Sequence, residues 1–252
     1  MEKSIKDAII EIARCEGKEC CEKIRGTQTS EVFQLPDPFN GKIDIAKIMV
    51  ISSNPSIDET LEELYPTDDW SDDEIVDFFY NRFEKYVKSS EVLNKNREFS
   101  KKKVTYWSHI NNRVKEIFKL ADKNEIIPGE DYCITEVVHC KSKGEEGVTE
   151  AVKTCSAAYL KKVVKLSHAK VLVIVGSVAK KTFCEQYNLM KYIDCSLISE
   201  PENIEEIERL IYFMPAPNAW CKKILDKRFA DYPDELNRFK EWMQKDYQIN
   251  LK

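Results

Sequence analysis

The stretch at residues 47–58, KIMVISSNPSID, decides how the fold reads. Ile48, Met49, Val50 and Ile51 form an unbroken apolar run rich in β-formers. Such a run suits a strand buried on both faces, as in a parallel sheet. It stops at Ser52-Ser53-Asn54-Pro55, where proline lacks an N–H and biases the preceding residue away from helix. In open α/β sheets, ligands bind in the crevice beyond the carboxyl ends of the strands. A polar turn at that end is therefore a candidate for chemistry. Its plainer reading is a strand-to-helix turn in which Ser or Asn caps the next helix.

Outward from this turn, strands and helices alternate. Residues 132–138 (YCITEVV), 171–175 (VLVIV) and 211–214 read as further strands. Helices are expected at about 4–20, 104–120, 149–166, 177–187 and 234–247 from three- and four-residue apolar spacing. Trp70-Ser71-Asp72-Asp73 reads as a helix start, with Ser71 as cap and acids in the first turn. The apolar face that follows carries Ile75, Phe78, Phe79, Phe83 and Tyr86. Residues 89–103 are polar, end in Lys101-Lys102-Lys103, and read as a mobile loop. Alternation of this kind predicts an α/β protein with helices on both faces of a parallel sheet. We expect a single domain over residues 1–252.

Composition narrows the function. Hydrophobic residues make up 42% of the 252, enough for a core, and charged residues 33%. No apolar run is long enough for a transmembrane helix, and MEKSIKDAIIEIAR lacks the apolar centre of a signal peptide. A cytoplasmic protein, not bound to a membrane, is the expectation. The net charge of −5 argues against nonspecific DNA binding by the whole surface, but leaves room for a local basic groove. Nine cysteines are many for a compartment where disulfides are rare. Some, such as Cys133, Cys184, Cys195 and Cys221, suit buried structural thiols. Cys15 with Cys20 or Cys21, and Cys140 with Cys155, form two close pairs that zinc or a cluster would accept, although neither is a C-x-x-C. Gly176-Ser177-Val178-Ala179-Lys180-Lys181-Thr182 follows a strand as a phosphate loop does, but has Lys180 where the second glycine is needed.

The run TEVVHCKSKGEEGVTEAVKTC at residues 135–155 resembles the T-N-V-V-K-C-R-P-P…C stretch of the iron–sulfur uracil-DNA glycosylases. There a strand ends in a cysteine, a loop follows, and a second cysteine lies on the next helix. Two more ligands come from near the N-terminus. The resemblance covers most of residues 12–225. It implies a three-layer αβα sandwich around a four-stranded parallel sheet, with an N-terminal cluster-binding helix at about 1–25. It also implies a structural 4Fe–4S cluster on Cys15, Cys20 (or Cys21), Cys140 and Cys155, and no catalytic metal. A segment at about 60–103 is extra to that pattern.

By the same resemblance, three turns build a pocket for a base flipped out of DNA. Ser52-Ser53-Asn54-Pro55-Ser56 is closer to the G-I-N-P-G turn of the mismatch-specific thymine/uracil glycosylases than to G-E-A-P-G. Asn54 would orient the attacking water, Asp58 would assist, and Ser53 would help hold the base. The second turn places Glu136 where the family has an asparagine that pairs with uracil. As a carboxylate, Glu136 offers only acceptors, which suits the N4 amine of cytosine and opposes O4 of uracil. In the third turn, Met214 replaces the histidine of H-P-S-P, and Asn218 stands where a leucine wedges into the duplex. Trp220 is a substitute wedge. Lys101, Lys102 and Lys103 would contact DNA.

The implied activity is monofunctional hydrolysis of the N-glycosidic bond of a modified pyrimidine, leaving an abasic site, by a monomer acting on DNA. An anti-phage glycosylase that removes glucosylated hydroxymethylcytosine belongs to this superfamily, and by analogy this chain, with its changed uracil contacts, resembles it. The alternatives are a uracil-repair glycosylase and an inactive DNA-binding relative.

Overall fold

In the computed structural model, residues 1–15, 21–28, 33–194, 197–217, 219 and 224–248 are described. Among them the elements run α1 (Lys3–Ala13), α2 (Glu22–Gly26), β1 (Ile48–Ser52), α3 (Asp72–Tyr80), β2 (Val87–Lys88), β3 (Glu91–Leu93), β4 (Phe99–Lys103), α4 (Thr105–Lys119), β5 (Tyr132–Glu136), α5 (Val148–Leu166), β6 (Val171–Val175), α6 (Gly176–Gln186), β7 (Glu202–Ile204), β8 (Ile207–Met214), α7 (Leu225–Arg228) and α8 (Pro233–Gln248).

The central sheet has the order β5-β1-β6-β8-β7. The first four strands are parallel; β7 pairs antiparallel with β8. The expected four-stranded parallel sheet is therefore present, with a short fifth strand on its edge that makes the sheet mixed. Glu202-Asn203-Ile204 has little apolar pattern of its own, and pairing with β8 makes it a strand.

Period-two alternation sorts the strand residues between two cores. Met49, Ile51, Cys133, Leu172, Ile174, Ile211 and Phe213 pack in one core, against α1, α3, α5 and α6. Ile48, Val50, Tyr132, Ile134, Val171, Val173, Leu210, Tyr212 and Met214 pack in the other, against α4, α7 and α8. Helices thus cover both faces, giving three layers. Among the described residues, no helix is long and apolar enough to cross a membrane.

Residues 89–103 depart from the expected mobile loop. Residues 87–103 form a second, antiparallel sheet in the order β2-β3-β4. Ser71 caps α3 in a full capping box with Glu74, but α3 ends at Tyr80 and a π-helical turn, Arg82–Tyr86, follows. Arg82 comes four residues after Phe78, on the same helical face, and falls among the aromatic rings. Its guanidinium lies 4.6 Å from the centroid of Phe78, 4.9 Å from Trp107 and 5.0 Å from Tyr65.

Candidate active site

A cleft of about 450 Å³ opens at the carboxyl ends of the parallel strands. Its size lies in the range of roughly 300–1,000 Å³ usual for ligand sites. The turn after β1 contributes Ser53, Asn54, Pro55 and Ser56; the end of β5 contributes Glu136; the start of α6 contributes Gly176, Ser177 and Val178; and the turn after β8 contributes Ala216 and Pro217. Parallel pairing explains the convergence: Ser52 and Glu136 are register partners at the ends of adjacent strands.

The Asn54 side chain is held by its amide nitrogen. Nδ2 donates to the Ser142 hydroxyl at 2.8 Å, to the Pro55 carbonyl at 2.9 Å and, at the limit of hydrogen bonding, to the Cys140 carbonyl at 3.4 Å. With its donors committed, Asn54 keeps its Oδ1 as an acceptor. Ser53 donates to the Glu145 carboxylate at 2.6 Å. Asp58 lines the cleft but is tied down. Lys102 binds it at 2.7 Å, Thr60 binds it through both hydroxyl and N–H, and these contacts hold its carboxyl below the usual range. A carboxylate so engaged makes a poor proton acceptor. Two residues expected to act separately, Asp58 in catalysis and Lys102 on DNA, are thus each other's partners.

Glu136 lies on the cleft floor, 4% exposed, and its Oε2 has no hydrogen-bond partner. Burial pushes its pKa well up, and the nearby charge of Asp37 adds to this, against the opposing effect of Arg82 and Lys141. Burial thus favours the protonated form of Glu136, which offers one O–H donor and one carbonyl acceptor. The expectation of an acceptor-only side chain applies to the ionised form, which this burial disfavours.

Around Glu136 stands a charged network that sequence reading did not single out. Asp37 accepts from Asn40 Nδ2 at 2.9 Å and from the Tyr65 hydroxyl at 3.2 Å. Arg82 lies 3.7 Å from Asp37 and binds Glu63. Lys141 binds Glu63 at 3.2 Å, with its Nζ 3.7 Å from the Tyr65 ring centroid. Burial alone would raise the Glu63 carboxyl; the charges of Arg82 and Lys141 outweigh it and hold it below its ordinary value. Asn40 Oδ1 and the Arg82 Nε and Nη1 make no hydrogen bond although buried, Nη1 being the atom nearest Asp37. Arg82 was legible only as a charge interrupting the apolar face at Phe78, Phe79 and Phe83.

Met214 is buried in the core at the end of β8, and Ala216 and Pro217 face the cleft in its place. Lys101 and Lys103 are exposed on β4. Asn218 and Trp220 lie outside the described residues, as does Cys20.

On the far side of the loop after β5, Cys15, Cys21, Cys140 and Cys155 line one small apolar cavity with His139 and Tyr159. A hydrogen bond with the Cys21 thiol, then burial, then the charges of Cys155 and Cys15 raise the Cys140 thiol. His139 is buried with Nδ1 at 2.8 Å from the Asp37 carbonyl, and burial lowers its pKa to about 4. Among the described residues, no three His, Cys, Asp or Glu side chains converge tightly enough for a single metal ion.

A doubly covered α/β sheet with a polar cleft at its strand ends defines a ligand-binding or catalytic α/β protein. The family model of the uracil DNA glycosylase superfamily matches residues 38–240. The chain belongs to that superfamily, whose members are generally DNA glycosylases acting on DNA. No curated protein matches it.

Proposed function

We propose that this chain is a monofunctional DNA glycosylase that removes a flipped-out 5-modified cytosine, with glucosylated hydroxymethylcytosine in phage DNA as its target. The observation that carries the reading is the buried Glu136 carboxyl on the cleft floor, whose Oε2 has no hydrogen-bond partner. A neutral carboxyl accepts from the N4 amine of cytosine and donates to N3. When ionised it still accepts from N4. Cytosine is thus served in both protonation states. Uracil, which needs a donor for O4, is served only by the neutral form. The Asn40 and Arg82 atoms that make no hydrogen bond offer an acceptor and donors to a hydroxylated 5-substituent, in a cleft of about 450 Å³.

Water would be held by Asn54 Oδ1 and would attack C1′ as the base departs. The first turn of α6 lines the cleft, and a helix N-terminus favours the negative charge that develops on a leaving base. That can stand in for the histidine that Met214 replaces. Lys141 is the lysine nearest lyase chemistry, but its ammonium is committed to Glu63, which favours hydrolysis by water over a Schiff base. Lys101 and Lys103 would hold phosphates.

The four thiols around Cys140 fit an iron–sulfur cluster. A 4Fe–4S cube takes four cysteines and spaces them more widely than one ion does. Cys15, Cys21, Cys140 and Cys155 would be the ligands, with Cys21 in place of Cys20. The cluster would supply a crosslink between the N-terminal arm and the loop after β5.

Base release from duplexes carrying uracil, cytosine, hydroxymethylcytosine or its glucosylated form, scored as abasic sites, tests the reading. Release of the modified cytosine is expected. Any uracil release should fall as pH rises through the raised Glu136 pKa, while cytosine-type release persists. Release of uracil alone at every pH would overturn the cytosine assignment.

A further inference from the structure

We propose that Glu145 is a catalytic residue, the carboxylate that takes a proton from the attacking water. The inference rests on the glycosylase reading above, and it addresses a gap in it. An amide orients water but does not accept a proton as a carboxylate does, and Asp58 is engaged by Lys102 and Thr60.

Glu145 fills the gap by position. It lines the same cleft as Asn54, although it comes from the loop after β5 and not from the turn after β1. Its Oε1 accepts from Ser53, the residue next to Asn54, at 2.6 Å. No other hydrogen bond to its carboxylate is made among the described residues, and the side chain is exposed to solvent at the cleft. Two elements are thus locked together at this point. The Ser142 N–H donates to the Pro55 carbonyl at 3.1 Å, the Ile57 N–H to the Ser142 carbonyl at 3.2 Å, and Asn54 to the Ser142 hydroxyl at 2.8 Å. The water-orienting amide and the carboxylate are therefore carried on one stapled unit.

The backbone agrees. Glu145 sits at φ +62°, in the left-handed region that a residue with a side chain seldom adopts, between Gly144 at +63° and Gly147 at +80°. Such conformations persist where surrounding contacts impose them, and they gather at functional sites. Glycines on either side let the loop turn sharply enough to bring a non-glycine side chain back over Ser53.

In the step, the water oxygen bonds to C1′ while the C1′–N bond breaks and its electron pair leaves with the base. The water proton passes to Glu145 and then to solvent. Ser53 holds the acceptor in place and does not react.

The test is single-turnover base release with DNA affinity measured in parallel. Wild type, Glu145→Gln, Glu145→Ala and the neighbouring Glu146→Gln are compared on whichever base the wild type releases. Glu145→Gln keeps a side chain able to bond Ser53 but loses basicity. Its rate should fall by about 100-fold or more, the scale of general-base catalysis, with DNA affinity unchanged. Formate should restore part of the Glu145→Ala rate, and Glu146→Gln should match wild type. A Glu145→Gln rate within about twofold of wild type overturns the proposal while leaving the glycosylase reading intact. A wild type that binds DNA but releases no base overturns both.

Discussion

At the scale of single residues, Glu136 shows how burial redefines a side chain. The sequence places a carboxyl at the end of β5, and burial in the fold raises its pKa. A carboxyl whose pKa is raised on folding stabilises the protein fully below its ordinary pKa, and this contribution is lost as pH rises through the raised value. Replacing Glu136 by Gln removes that loss. Urea unfolding across pH should therefore find Glu136→Gln increasingly more stable than wild type above the ordinary Glu range. The gap should widen by up to about 1.4 kcal/mol per pH unit. A constant difference would mean that the side chain ionises freely in the folded state. The positions of Asn54 and Glu136 were legible because each closes a recognisable apolar strand. Asp37, Glu63, Arg82 and Lys141 were not, because nothing local distinguishes a charge that will be buried with partners from one on a solvated surface.

At the scale of elements, the strands and most helices followed from periodicity, and the failures share one cause. β7 and the sheet β2-β3-β4 hold their shape through pairing, and polar sequences such as FSKKK and ENI carry almost no intrinsic strand pattern. Pairing also changes the meaning of the lysine run. Lys102 is paired with Asp58 at 2.7 Å, and all three lysines are exposed on β4. If Lys101 and Lys103 hold phosphates, the double variant Lys101→Ala/Lys103→Ala should weaken DNA binding evenly across sequences. It should also flatten the dependence of log affinity on log salt by up to about 1.8, the release expected for two phosphate contacts. An unchanged slope, measured by fluorescence anisotropy, would place the DNA track elsewhere.

At the scale of the whole molecule, the cysteine cavity and the cleft share one loop. Cys140 lines the cavity, and two residues later Ser142 anchors Asn54. Protein purified without air should contain about four irons and four acid-labile sulfides per chain. Cys21→Ala should lose them, and Cys20→Ala should keep them. The reverse result would reassign the fourth ligand. A second feature bears on how far this chain can be cut down. On a linear map the segment at 60–103 looks detachable, since its strands form a sheet of their own. Arg82 makes it otherwise. The segment supplies the guanidinium beside Asp37 and the carboxylate that binds Lys141. Excising it would leave Asp37 and Lys141 on the cleft floor stripped of those counter-ions, and removing one partner of a buried pair costs about 3–5 kcal/mol. Core sheet and segment form a single electrical unit, so a minimal version of this protein must be designed around residues 60–103 and cannot be obtained by deleting them.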